Sequence, residues 1–175
     1  MRKFTGVILI IAAIMLLTAC APGEAILTGD NDHQKAQGFI ETVLNAIQDK
    51  DAEKLKALFS QSILSQLPSY DESVQELFEY FNGSVDSFDD GAGPFVETTK
   101  EDNFVLQRME SSFVVKTDAC EYRFAMQYVT QGDAKDMGIS SLYVIKTMDD
   151  ENLDYVYWGD GRFTPGIHVA VPNMI

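Results

Sequence analysis

The chain has 175 residues, with 27 acidic against 13 basic side chains and a formal net charge of −14. Such an excess repels phosphate backbones and anionic headgroups, so it argues against a nucleic-acid partner and against a polybasic membrane clamp. The length suits one domain able to bury a core without disulfide staples.

The first element in chain order is a targeting segment. Arg2 and Lys3 form a basic n-region, and Val7 to Leu17 is an unbroken apolar run of the length of a signal-peptide core. The run is too short for a spanning helix, which needs about 20 apolar residues. The order Leu17-Thr18-Ala19-Cys20 resembles the bacterial lipobox, in which cleavage falls just before the cysteine and its thiol carries a diacylglycerol. The alternative is an ordinary cleaved signal with an incidental cysteine. Removing residues 1–19 takes Arg2 and Lys3 from the basic side chains and leaves every acidic one, so membrane contact is expected to come from lipid on Cys20. The expected location is the extracytoplasmic face of the cell membrane. With Cys20 acylated, Cys120 has no partner within the chain and reads as a small turn residue, with a reactive sensor as the alternative.

Residues 20–33 read as a lipidated cysteine and flexible tether with a reach of roughly 20 Å, and residues 34–175 as a single domain. His33 is then a solvated tether residue. Phe39, Ile40, Val43, Leu44 and Ile47 recur at helical spacing and lay one apolar stripe along a first helix. Asp51 is placed to cap a second, with Ala52, Leu55, Leu58 and Phe59 inward and a further turn at Ile63, Leu64 and Leu67 before Pro68. A third is expected to begin at Asp71, with Val74, Leu77, Phe78 and Phe81 buried and Gly83 as its stop.

Beyond Gly83 the period changes toward 2. The acidic, glycine-rich stretch at 86–93 reads as a solvated loop, because Asp86, Asp89 and Asp90 miss the alternating ligand spacing of an EF-hand. Residues 104–117 and 121–130 read as long strands joined by Asp118-Ala119-Cys120, with Tyr122, Phe124, Met126 and Tyr128 toward the core. Further strands are expected at 138–148 and 155–159, and a last apolar stretch follows the Pro165-Gly166 corner. Helices followed by an antiparallel meander give an α+β domain, with amphipathic helices packed on one face of a curved antiparallel sheet.

This order of elements resembles the cone-shaped nuclear transport factor 2-like superfamily. The lipobox together with "VKTDACEYRFAMQYV", "GISSLYVI" and "YWGDGRFTPGI" resembles a family of small bacterial lipoproteins, mostly Gram-positive, grouped as domain of unknown function 5104. The likeness spans roughly residues 34–169. Where that family commonly has glycine, this chain has Cys120. The resemblance implies a fold and a location, a sheet face through which relatives often form homodimers, and no established activity.

Chemistry-bearing constellations are sparse. His168 reads as a half-buried strand residue rather than a general base, and Asp160 as a turn aspartate rather than a pocket acid. No nucleophile elbow or zinc-binding helix motif is present in the sequence, so no catalytic residue, metal ligand or cofactor is assigned. Aromatic residues concentrate on the expected strands, among them Tyr122, Phe124, Tyr128, Tyr143, Tyr155, Tyr157 and Trp158. If the concavity beneath the helices stays open, Tyr128, Tyr143, Tyr157 and Trp158 line an apolar pocket for a small ligand or a segment of an envelope protein; the alternative is that aromatic rings fill it. Arg123 and Arg162 are scarce cations that either pair with Asp160 or receive an acidic ligand. The expected function is a membrane-anchored, non-catalytic ligand-binding or protein-interaction module. The alternative is an acid–base enzyme of the cone fold using Asp160 or His168.

Overall fold

A computed structural model describes residues 30–101, 104–149 and 164–169. The helical layer comprises α1 (Asp30–Gln48), α2 (Ala52–Ala57), α3 (Gln61–Leu64) and α4 (Tyr70–Tyr80). The sheet comprises β1 (Val85–Glu101), β2 (Phe104–Thr117), β3 (Glu121–Gln131), β4 (Gly138–Lys146) and β5 (Gly166–Val169), with a 3-10 turn at Thr147–Asp149 after β4. The domain is therefore α+β.

The stripe on α1 forms as its spacing dictates: Ile40, Val43, Leu44 and Ile47 are buried, and Phe39 packs against them from a half-buried position. Asp51 caps α2, its Oδ1 accepting from Lys54 N at 2.9 Å. The third expected helix begins one residue earlier than its acidic signal. Ser69 occupies the N-cap of α4 without a side-chain cap bond, so Asp71 lies inside the first turn, where its charge favours the helix N-terminus. α1 also starts earlier than the tether reading supposed: His33 is on the helix, with Nδ1 3.6 Å from Asp90 Oδ2.

The sheet has the order β1-β2-β3-β4-β5. The first four strands form an antiparallel meander, while β5 pairs with β4 in parallel, from Ser141↔Gly166 to Val144↔Val169. That parallel strand departs from the all-antiparallel expectation, because a four-residue apolar stretch carries no sequence mark of its direction. The expected strand at 155–159 lies outside the described residues. The stretch at 86–93, read as a loop, belongs to β1. Register shifts at Val85/Ser87, Asp90/Ala92 and Ala92/Phe95 let its glycines and Pro94 sit at a sheet edge.

Paired residues on neighbouring strands share a face. Tyr122, Phe124, Met126 and Tyr128 on β3 therefore lie with Ile139, Leu142 and Val144 on β4, facing the helices. Each of these seven side chains is fully buried, and each large one contributes roughly 1.5–3 kcal/mol of burial free energy. The outer edge of β4 is occupied. Ser60 N donates to Ile139 O and Ile139 N to Leu58 O, and β5 continues from there. Gly138, at φ +114°, permits this approach, since a Cβ there would stand 2.7 Å from Leu58 O.

Candidate functional site

Aromatic rings fill the space between the helices and the sheet. Phe39 of α1 stacks on Tyr128 at 4.5 Å between ring centroids, and Phe81 contacts Tyr122 at 4.7 Å and Phe124 at 5.8 Å. The hydroxyls are spent as well. Asn82 N donates to Tyr122 Oη at 2.8 Å, and Tyr122 Oη donates to Tyr80 O at 3.1 Å. Burial, reinforced by the neighbouring Cys120 thiol, pushes the Tyr122 phenol up to about 12. Ser111 Oγ donates to Tyr128 Oη at 3.4 Å, and burial likewise raises that phenol.

Tyr128 and Tyr143 do not line one pocket. Tyr128 pairs with Ile139 and Gln127 with Ser141, so Ser140 is an extra residue and the parity of β4 changes there. Leu142 and Val144 turn to the helices, while Tyr143 joins Ala125 and Arg123 on the other face. On that face Tyr143 Oη accepts from Thr164 N at 2.8 Å, and Ser141 Oγ donates to Thr164 O at 2.6 Å. Arg123 is half-buried between Val114 and Ile145. Tyr157, Trp158, Asp160 and Arg162 lie outside the described residues, as does Cys20.

A small cleft of about 260 Å³ opens between α4 and β5. Leu67, Tyr70, Ser73 and Glu76 form one wall, and Gly166 and His168 the other. Ligand sites for drug-sized molecules run from roughly 300 to 1,000 Å³, so this cleft lies just below that range. Tyr70 is 5% exposed, its hydroxyl has no hydrogen-bond partner among the described residues, and burial together with Asp71 and Glu53 raises its pKa well above the ordinary tyrosine value.

His168 is held as a structural residue. Its Nε2 lies 3.0 Å from Thr164 O and 3.2 Å from Pro165 O, and its ring stacks on Tyr143 at 4.5 Å. Carbonyl oxygens only accept, so Nε2 carries the proton. This is the half-buried strand position expected from the sequence. Among the described residues, no cluster of histidine, cysteine and carboxylate side chains has metal-holding geometry.

Cys120 sits half-buried in the β2–β3 turn. Thr117 Oγ1 donates to Cys120 O at 2.8 Å, Cys120 N donates to Thr117 Oγ1 at 3.0 Å, and Asp118 Oδ1 accepts from Ser84 N at 2.8 Å. The turn is thereby tied to the chain leaving α4. Asp86, Asp89 and Asp90 are exposed side chains along β1.

What sequence reasoning missed is the sheet's other edge. β1 is the terminal strand and pairs with β2 alone among the described strands. Glu97, Thr98, Thr99, Lys100 and Glu101 are exposed along it, and Phe95 is 63% exposed. The alternation of "FVETTKE" at 95–101 was the available signal, obscured by the glycines and proline just before it.

The chain matches the family described as Domain of unknown function (DUF5104) over residues 42–147, more than half its length. That span runs from α1 through β4 and includes the α4 wall of the cleft but not β5. No curated protein is significantly similar to the chain.

Proposed function

The chain belongs to the DUF5104 family, and on that premise we propose that it is a lipid-anchored extracytoplasmic protein whose domain docks a partner rather than catalysing a reaction. The observation that carries the proposal is Leu17-Thr18-Ala19-Cys20 after a basic and then apolar leader. Acylation of Cys20 leaves only residues 21–29 before α1, a stretch that spans at most about 30 Å when extended. The domain is thus held close to the bilayer. No helix among the described residues is long and apolar enough to cross a membrane.

The docking part of the proposal draws support from side chains already committed elsewhere. Aromatic rings occupy the space beneath the helices, and His168 donates its Nε2 proton to backbone carbonyls. Helices stacked on one face of a long meander are consistent with the cone-shaped nuclear transport factor 2-like architecture, which we include in the proposal.

Metabolic labelling with an alkyne fatty acid tests the anchor. The wild-type chain takes the label and partitions with membranes, and Cys20→Ser loses both properties. A Cys20→Ser chain that still takes the label refutes the assignment.

A further inference from the structure

We infer that the open edge of β1 at Phe95–Glu101 is a docking strand that accepts an extended, cationic polypeptide segment of a partner by strand addition. This deepens the docking reading above. Its test does not involve the acyl group on Cys20, so the two readings fail separately.

The two halves of β1 differ. From Val85 to Pro94 three register shifts interrupt the ladder, and irregularities of this kind blunt an edge against pairing. From Phe95↔Glu110 to Glu101↔Phe104 the pairing runs through seven consecutive residues without a shift. Two residues separate Glu101 from Phe104, and such a connection makes the flanking pair a closely bonded one, with bonded and non-bonded pairs alternating beyond it. The N–H and C=O groups of Val96, Thr98 and Lys100 therefore point away from β2 toward the open edge. The opposite margin of the sheet is β5, a strand of four residues with α4 beside it, so it offers a much shorter edge.

Charge selects the occupant. β1 carries Asp86, Asp89, Asp90, Glu97 and Glu101 against Lys100 on the strand itself, with Arg108 of β2 3.4 Å from Glu97 in an exposed pair and His33 of α1 3.6 Å from Asp90, so the edge remains acidic on balance. A second copy of the chain would bring a second acidic edge and another formal charge of −14 to the same strand, and accumulated like charge disfavours that approach. Lysine or arginine at alternate positions of an added strand would instead meet Glu97 and Glu101, which share one face with the exposed ring of Phe95. Main-chain bonds would supply affinity and these side chains selectivity.

The test uses the detergent-solubilised full chain and two fluorescent, end-capped heptapeptides, one alternating lysine with valine and the other glutamate with valine. In an anisotropy titration the lysine peptide binds saturably and the glutamate peptide does not. Thr98→Pro removes one outward N–H at an edge position that tolerates proline, and weakens binding about tenfold or more. Glu97→Lys combined with Glu101→Lys reverses the preference between the peptides. If Thr98→Pro fails to fold, the charge-reversal variant decides alone. The inference is overturned if the lysine peptide does not bind, if both peptides bind equally, if a folded Thr98→Pro chain binds undiminished, or if charge reversal leaves the preference unchanged. It is also overturned if sedimentation shows a dimer that Thr98→Pro abolishes, because the occupant is then a second copy.

Discussion

On β3, Tyr122, Phe124, Met126 and Tyr128 are fully buried, whereas on β1, two strands away, Glu97 to Glu101 are exposed without exception. β3 is a strand on the merits of its own residues, whose aromatic and apolar side chains alternate and meet helices on one face. β1 contains three aspartates, two glycines and a proline within Asp86–Pro94, and it is a strand because β2 holds it. The contrast separates two jobs. The middle of the sheet is committed to stability, while the margin keeps backbone and charge available to another molecule.

The contrast sharpens first at Phe124. Phe124→Ala opens a cavity in the filled layer and is expected to cost about 3–5 kcal/mol, read as a lowered midpoint in urea unfolding. Gly83→Ala comes next. Gly83 has φ +88°, and a Cβ there would collide with the side chains of Thr117 and Asp118 that tie the β2–β3 turn to α4. The expected loss is about 2 kcal/mol.

Tyr122→Phe follows, with an expected loss of about 1 kcal/mol, because the hydroxyl between Asn82 N and Tyr80 O disappears. The same residue gives a pH test. Its phenol titrates near the ordinary value of about 10 in the unfolded chain and about 12 in the folded one. The folded state therefore binds the extra proton in this interval, so stability is full below pH 10 and falls as pH rises toward 12. Urea midpoints measured across that interval should decline, and decline less steeply in Tyr122→Phe. The smallest effect is expected on β1. Phe95→Ser, at a position 63% exposed, should change stability by less than about 0.5 kcal/mol while weakening the lysine–valine peptide. A large destabilisation at Phe95 would erase the distinction between the two regions.

The helical half and the β2–β3–β4 meander were legible in the sequence because one period dominates each. Ile40, Val43, Leu44 and Ile47 mark α1, and Tyr122 to Tyr128 mark β3. Legibility failed where a local irregularity changes the rule. The extra residue at Ser140 reverses the parity of β4 and carries Tyr143 away from Tyr128, and nothing in "GISSLYVI" announces it. The shifts in β1 hide a strand inside loop-like composition, because pairing with β2 outweighs local preference. The cleft beside α4 combines residues from two distant elements, one of which, β5, is four residues long. Such a site has no linear signature. The leader is the opposite case, a wholly linear pattern of charge, apolar run, small residues and cysteine in order.

The proposed anchor at Cys20 would set where every surface of the domain operates, and it is tested most directly by the mass of the N-terminal peptide from the mature, membrane-extracted chain. The account predicts a peptide that begins at Cys20 and carries a diacylglyceryl group on its sulfur. A mature chain whose Cys20 sulfur is unmodified, or one that retains residues 1–19, would contradict it.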